Sequence, residues 1–380
     1  MADNNENKVL NVPHLRFPEF SGEWEMASLQ DIAAINPKSD QLQNTFIYID
    51  LEAVEKGELR KIQEIMREEA PSRAQRVINN NDILFQCVRP YQKNNYIHKI
   101  LNTSNQQWVA STGYAQIRTT ESPNYIYHLL NTDGFNRKVM VRCTGSSYPA
   151  INSEDLATIR FYYTPDKKEQ FKISRLLDLI DERIATQNKI IEDLKKLKSA
   201  ISERLFKGIE GSFVLLSDIC DIVKGKQING ENLSESGNYY VMNGGTEPSG
   251  YYGDYNVDAN AISISEGGNS CGYVQFNTSP FWSGGHCYSI QNIADNVNNL
   301  YLYHYLKSNE DVIMKLRIGS GLPNIQKKDL AMFKIKVPAI EQQITISTFL
   351  SSLERKAEIE ERIQNAMLKE KQYLLHQMFI

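Results

Sequence analysis

The sequence predicts an α+β protein: two mixed α/β modules, each followed by a long helix, related by an internal pseudo-twofold repeat. Three observations carry this. First, Cys143-Thr144-Gly145-Ser146-Ser147-Tyr148-Pro149-Ala150-Ile151 with Asp155-Leu156 returns as Ile318-Gly319-Ser320-Gly321-Leu322-Pro323-Asn324-Ile325 with Asp329-Leu330, the Pro and Asp-Leu positions standing 174 residues apart. Second, each copy is followed by a stretch of about 40 residues with heptad spacing of apolar side chains. Third, 380 residues exceed the size at which one hydrophobic core usually keeps growing.

Residues 1–20 are polar and acidic at their start and read as a tail. The first module, 21–164, opens with Leu29-Gln30-Asp31-Ile32, which the second copy repeats as Leu216-Ser217-Asp218-Ile219. Short apolar runs bounded by turn residues, Thr45-Phe46-Ile47-Tyr48-Ile49 and Asp82-Ile83-Leu84-Phe85, predict strands. Ser111-Thr112-Gly113 precedes Tyr114, and a helix is expected around Tyr125 to Val141, where Tyr127-His128-Leu129-Leu130 anticipates Tyr303-His304-Tyr305-Leu306.

The long helix of 165–208 starts after Thr164, read as its N-cap, with Pro165 in the first turn and Gly208 as its stop. Its seam is Ile173, Leu177, Ile180, Ile184, Ile191, Leu194, Ile201 and Leu205, interrupted by Gln187 and Lys198. The second module, 209–337, holds the strand run Ala261-Ile262-Ser263-Ile264 and a helix around Asn298 to Leu316. Its helix, 338–380, repeats the seam at an offset of 173 as Ile346, Leu350, Leu353, Ala357, Met367, Leu374 and Met378, with Lys371 aligned to Lys198 and Glu360 to Gln187. Polar breaks at matching positions favour the two helices packing on each other, rather than each on its own module, because a polar seam position fixes register.

Composition bounds the function. No apolar run approaches the length of a membrane span, and the start of the chain is no secretory leader, so a soluble, cytoplasmic protein without a membrane partner is expected. Five scattered cysteines without a C-x-x-C pair indicate neither a disulfide framework nor a zinc site, and the histidines give no metal-ligand pattern. The glycine-rich pieces at Asn243-Gly244-Gly245, Glu266-Gly267-Gly268-Asn269 and Ser283-Gly284-Gly285 lack the Lys and Ser/Thr of a phosphate-cradling loop. Asn36-Pro37-Lys38 lacks the aromatic Asn/Asp-Pro-Pro sequence of an amino-methyltransferase. No catalytic residue is therefore assigned. A metal-dependent nuclease built on Pro165-Asp166 and Asp193-Leu194-Lys195 would place its carboxylates on a helix face.

Charge distribution says more than the net charge of −4. Between Arg73 and Thr120 stand six basic residues, Arg73, Arg76, Arg89, Lys93, Lys99 and Arg118, and one acid, interleaved with Asn94 and tyrosines. That mixture suits phosphate neutralisation and base contacts. Between Gly211 and Ser320 eleven acids face five bases, with Lys224, Lys226 and Gln227 as the positive point. Ten tyrosines and many glycines there leave a carbohydrate- or protein-binding module open as an alternative.

The paired Gly-Ser/Pro/Asp-Leu segments, the two helices, Leu15-Arg16-Phe17-Pro18-Glu19-Phe20 with Trp24, and sequences such as Tyr240-Val241-Met242-Asn243-Gly244-Gly245 and Phe281-Trp282-Ser283-Gly284-Gly285-His286 together resemble the specificity subunit of type I restriction-modification systems. The resemblance covers nearly the whole chain. It implies two target-recognition domains, each reading one half of an asymmetric bipartite double-stranded DNA sequence, joined by two antiparallel coiled-coil helices that set the spacer. It also implies two methyltransferase subunits bringing S-adenosylmethionine, motor-nuclease subunits bringing ATP and Mg, and no cofactor in this chain. The DNA-facing residues expected are Arg73, Arg76, Arg89, Lys93, Asn94, Lys99, Thr112 and Tyr114 in the first domain. In the second they are Lys224, Lys226, Gln227, Asn243, Tyr251, Asn269 and His286.

Overall fold

Pairing of short strands builds the same sheet twice. The computed structural model describes residues 11–99, 106–319, 321 and 323–380; the first ten residues of the tail, Ser320 and Leu322 lie outside them. The chain divides into two units, Met1–Gln187 with Ile363–Ile380, and Asn188–Arg362. In the first, strands Ala33–Ile35, Tyr114–Thr119, Ile83–Gln86 and Tyr96–Ile97 lie in that order, all antiparallel. In the second, Asp221–Lys224, Cys287–Gln291, Ala261–Ser265 and Val274–Asn277 take the same order and sense. A further sheet in each unit contains one parallel pair, Thr45–Ile49 with Gln107–Ser111 and Tyr239–Met242 with Trp282–Ser283. A two-stranded ribbon closes each module, Glu25–Ser28 with Arg160–Tyr163 and Ser212–Leu215 with Lys334–Val337.

The repeated Leu-x-Asp-Ile is a single helical turn in both units, Leu29–Ile32 and Leu216–Ile219. Its aspartate accepts the N–H three residues back, Ser28 for Asp31 (2.7 Å) and Leu215 for Asp218 (3.1 Å), satisfying a donor the turn leaves open. Each expected module helix is broken in two, Pro123–Leu130 with Asp133–Arg142 and Asn299–Ser308 with Glu310–Met314. In the first unit Thr132 caps the second piece by accepting from the Phe135 N–H.

The long helices run Lys167–Gly208 and Ile340–Met378. The first begins later than Thr164 because Asp166 serves as its cap, its Oδ1 accepting from the Lys168 N–H (2.8 Å), while Thr164 Oγ1 donates to Glu169 (2.6 Å). Glu169 is fully buried and receives both arms of the Arg16 guanidinium, at 2.7 and 2.9 Å. Such a paired fork is among the stronger charged contacts. Residues 11–20 are accordingly no loose tail: Phe17 packs on the first core, and the Leu15 N–H donates to the Gln377 carbonyl (2.9 Å).

The seam divides its work. Ile173 and Leu177 belong to the core of the first unit, and Ile346 and Leu350 to that of the second, so the opening turns of each helix do pack on the module preceding them. Ile184, Ile191 and Ala357 are buried farther along, with Ile180, Leu194, Ile201, Leu353, Met367 and Leu374 half-buried. Helix packs on helix there. Lys195 pairs with Glu361 (2.6 Å) and Lys198 with Glu354 (2.7 Å), so rising numbers on one helix meet falling numbers on the other. In the first unit Lys371 pairs with Asp181 (2.5 Å). Lys371 stands 173 residues after Lys198, and Glu354 stands 173 after Asp181, so the two breaks make one contact twice.

Each unit is completed by the far end of a long helix. Phe379 meets Tyr125 at 5.3 Å and Trp24 at 6.2 Å between ring centroids, while Phe206 meets Tyr301 at 5.9 Å and Tyr305 at 5.2 Å. Two glutamines repeat as faithfully. Gln170 Nε2 donates to the Thr164 carbonyl (2.8 Å) and its Oε1 accepts from the Ser122 N–H (3.0 Å). Gln343 does the same with the Pro338 carbonyl (2.9 Å) and the Asn298 N–H (2.8 Å). In this way a buried amide ties the start of each long helix to the start of the module helix before it.

Replacing Phe379 by Ala should cost about 3–5 kcal/mol of the first unit's stability, read from the urea midpoint, with Phe213→Ser, at a site 63% exposed, as a near-neutral control. A pH effect follows from His304, whose Nε2 lies 2.9 Å from Ser351 Oγ and whose pKa burial pushes down to about 4. Below its ordinary value near 6.5 the unfolded chain takes up a proton that the folded chain refuses. Stability is therefore full above pH about 6.5 and falls towards pH 4, by at most about 1.4 kcal/mol per unit from this residue. Urea titrations at pH 7 and pH 5 should show the fall in the wild type and a smaller one in His304→Asn.

Candidate nucleic-acid interface

The repeated Gly-Ser loop is the fixed part of the site. Thr144 and Ala150 exchange both backbone bonds (2.9 Å each), and Ile318 and Asn324 do so at 2.8 and 3.0 Å. The aligned glycines Gly145 and Gly319 have φ of 88° and 100°, left-handed values that a side chain disfavours. Each loop then docks on the end of a sheet strand. In the first unit the Arg89 N–H donates to the Pro149 carbonyl (2.8 Å) and the Ile151 N–H to the Cys87 carbonyl (3.0 Å). In the second, the Gly268 N–H donates to Pro323 (3.0 Å) and the Ile325 N–H to Glu266 (2.8 Å). Arg89 and Gly268 thus occupy equivalent places, and both are left-handed, at φ 55° and 75°. For arginine this conformation costs about 1–2 kcal/mol.

Beside Arg89 in the first unit opens a cleft of about 920 Å³. Of the expected DNA-facing residues it gathers Arg73, Arg89, Asn94 and Thr112, joined by Gln86, Gln92 and Tyr148. Carboxylates also reach it, Glu52 and Glu55, the latter paired with Arg60 at 3.5 Å. The Arg89 guanidinium lies 4.4 Å from the Tyr148 ring centroid, a stacking distance, and Tyr148 is 64% exposed. Among the described residues neither Arg73 nor Arg89 has a carboxylate partner.

The remaining expected residues of this unit stand elsewhere. Tyr114 is fully buried with its hydroxyl donating to the Asp50 carbonyl (3.2 Å), because both faces of its strand are covered there, Tyr114 packing in one core cluster and Ala115 in another. Lys93 is spent internally on Asp133 (2.5 Å) and the Asn131 carbonyl (3.2 Å). Arg118, counted in the basic stretch, is held by buried Asp82 (2.7 Å). Arg76 is half-buried on strand Ala74–Ile78, where burial lowers its basicity. Lys99 is exposed and is not among the residues lining the cleft.

In the second unit the equivalent place brings together Lys224, Gln227, Asn243 and His286. Lys224 Nζ pairs with Glu266 (2.6 Å), His286 Nδ1 stands 3.8 Å from the same carboxylate, and Asn243 Oδ1 accepts from the His286 N–H (3.0 Å). Gly285 passes so near Gln227 that a Cβ there would fall 2.3 Å from its Oε1. Lys226 is exposed, its carbonyl accepting from Trp282 Nε1 (2.9 Å), and Asn269 is exposed one residue beyond Gly268. Tyr251 is not part of the group. It lies half-buried on a strand paired with Tyr239–Tyr240 and bridged to Ser234. The ladder places Cys287 where the first unit has Tyr114.

Tyr148 was part of a repeated loop whose sequence gave its position but not its exposure. Gln86 and Gln92 carry no sequence signal beyond composition. Their side chains bond each other at 3.0 Å, which holds an amide pair at the cleft wall.

The fold is duplicated, with one loop-clamped site per copy, and this defines a protein of two related modules. The type I restriction modification DNA specificity domain matches residues 21–196 and again 210–369, and the chain belongs to that family. A protein of Mycoplasma pneumoniae described as a type I specificity subunit is 32% identical over 145 residues, 38% of this chain and 38% of that protein. One from Mycoplasma genitalium is 22% identical over 231 residues, 57% of this chain and 59% of its own length. The chain thus spans less than two thirds of either relative. The crystal structure of a type I restriction-modification S subunit from M. genitalium superposes with a TM-score of 0.67 at 16% identity, over 97% of this chain and 99% of that one. A chain from a structure concerned with type I complex assembly and conformational transition gives 0.57 at 21% identity, over 93% and 96%. These two likenesses show the fold.

Gly145→Ala should lower stability by about 1 kcal/mol or more, because its Cβ would also meet the Tyr148 carbonyl oxygen at 3.0 Å. Thermal unfolding of the variant checks this.

Proposed function

We propose that the chain is the DNA-recognition subunit of a type I restriction-modification complex. In this reading each module binds one half of a bipartite double-stranded target through the site beside its Gly-Ser loop. Arg73, Arg89, Asn94 and Thr112 face the first half-site, and Lys226, Gln227, Asn243, Asn269 and His286 the second. The observation that carries the reading is the contrast between equivalent places: a cationic, stacked arginine in one copy, and glycine beside a paired lysine and glutamate in the other. One scaffold bearing two different surfaces suits an asymmetric sequence.

The helices set the distance between the half-sites, and their exposed apolar residues, Phe171, Leu179, Leu197, Phe349 and Ile359 among them, offer a docking surface for two methyltransferase subunits. Those subunits supply S-adenosylmethionine, and motor-nuclease subunits supply ATP, Mg and cleavage; this chain does no bond chemistry. No helix among the described residues is long and apolar enough to cross a membrane.

A four-residue helical insertion after Gln187, matched by one after the aligned Glu360, lengthens the pair by about 6 Å, close to two base pairs. Methylation-sensitive sequencing of cells with the altered chain should show both half-sites intact and a longer spacer. Altered half-sites with an unchanged spacer would contradict the assignment of the ruler to the helices.

A further inference from the structure

Arg89 holds a conformation that glycine would adopt without strain, and the second unit has Gly268 at that place. Folding alone does not call for an arginine there. Among the described residues its buried Nε has no hydrogen-bond partner and its guanidinium no carboxylate at ion-pair distance. What it does meet is the exposed Tyr148 ring, fixed in turn by the bridged loop and the left-handed Gly145. Stacking on an aromatic face leaves the edge of a guanidinium, with its fork of N–H donors, free to address a planar acceptor pair.

The lining of the cleft indicates which acceptors. The cleft mixes Arg60, Arg73 and Arg89 with Glu52, Glu55 and the amides of Gln86, Gln92 and Asn94, and such a set of donors and acceptors suits base edges, which present both, better than a phosphate, which presents acceptors alone. Among the four bases, guanine alone shows two acceptors, O6 and N7, side by side in the major groove. We infer that Arg89 is a specificity-determining residue that reads a guanine in the half-site of the first unit, with Tyr148 as the residue that positions its guanidinium. The inference rests on the DNA-recognition reading above and adds one base to it.

The test is selection from a randomised duplex library by the full chain, purified with the subunits that copurify with it, followed by titration of the selected duplex. The wild type should select a half-site with one near-invariant guanine. Arg89→Gly should lose preference at that single position, keep the remaining positions, and bind the wild-type duplex about 5- to 150-fold more weakly. Its unfolding midpoint should equal or exceed the wild type, because the strain is gone. Arg89→Lys, retaining the charge but not the fork, should lose the same preference with an unchanged salt slope, and Tyr148→Ala should relax that position to a smaller degree. Uniform weakening with unaltered base preference and a salt slope lower by about 1 would make Arg89 a phosphate contact and overturn the inference. So would a lowered midpoint for Arg89→Gly, or no change in selection. If the wild type enriches no sequence, the DNA-recognition reading itself falls and this inference with it.

Discussion

The insertion of one phenylalanine into each module core is the interaction on which the remaining architecture depends. Phe379 fills the space beside Tyr125 and Trp24, and Phe206 fills the space beside Tyr301 and Tyr305. Burial of a ring this size outweighs any single surface contact in the molecule. Each long helix is therefore anchored by Ile173 and Leu177, or Ile346 and Leu350, in its opening turns and by a phenylalanine at its far end.

Register is then reinforced by charge. The seam gives up apolar packing at Lys198 and Lys371, and each lysine meets an acid on the opposing helix. Burial works to raise the Glu354 carboxyl, but Lys198 and the Tyr303 hydroxyl outweigh it and hold the group below the ordinary carboxylate value. A half-buried pair of this kind adds modest stability. Its value lies in making other registers worse, since a slip would leave a lysine facing apolar side chains.

Periodicity and repetition made the helices, the Leu-x-Asp-Ile turn and the Gly-Ser loops readable in the sequence, because each depends on local spacing or on identical residues twice. Gln170 with Gln343 and Phe206 with Phe379 share the same offset, but an apolar heptad pattern does not include a glutamine and ends at Leu205. The site was less readable. Tyr114 is buried because both faces of its strand are covered, which no alternation in the sequence announces. Whether Lys93 is available depends on Asp133, forty residues away in the sequence. Arg89 could be chosen for its charge, yet its left-handed backbone and its stack on Tyr148 are properties of how the loop lands on the strand.

The late position of Phe379 has a consequence for how the chain comes into being. Domains usually fold in the order in which the ribosome releases them. Here the core of the first unit lacks one of its rings until residue 379 has been synthesised, although its strands are complete by residue 163. The second unit takes Phe206 from chain already made and can close first. The aromatic corner of the first unit is thus completed later in synthesis than that of the second, the reverse of the order in which their strands are made.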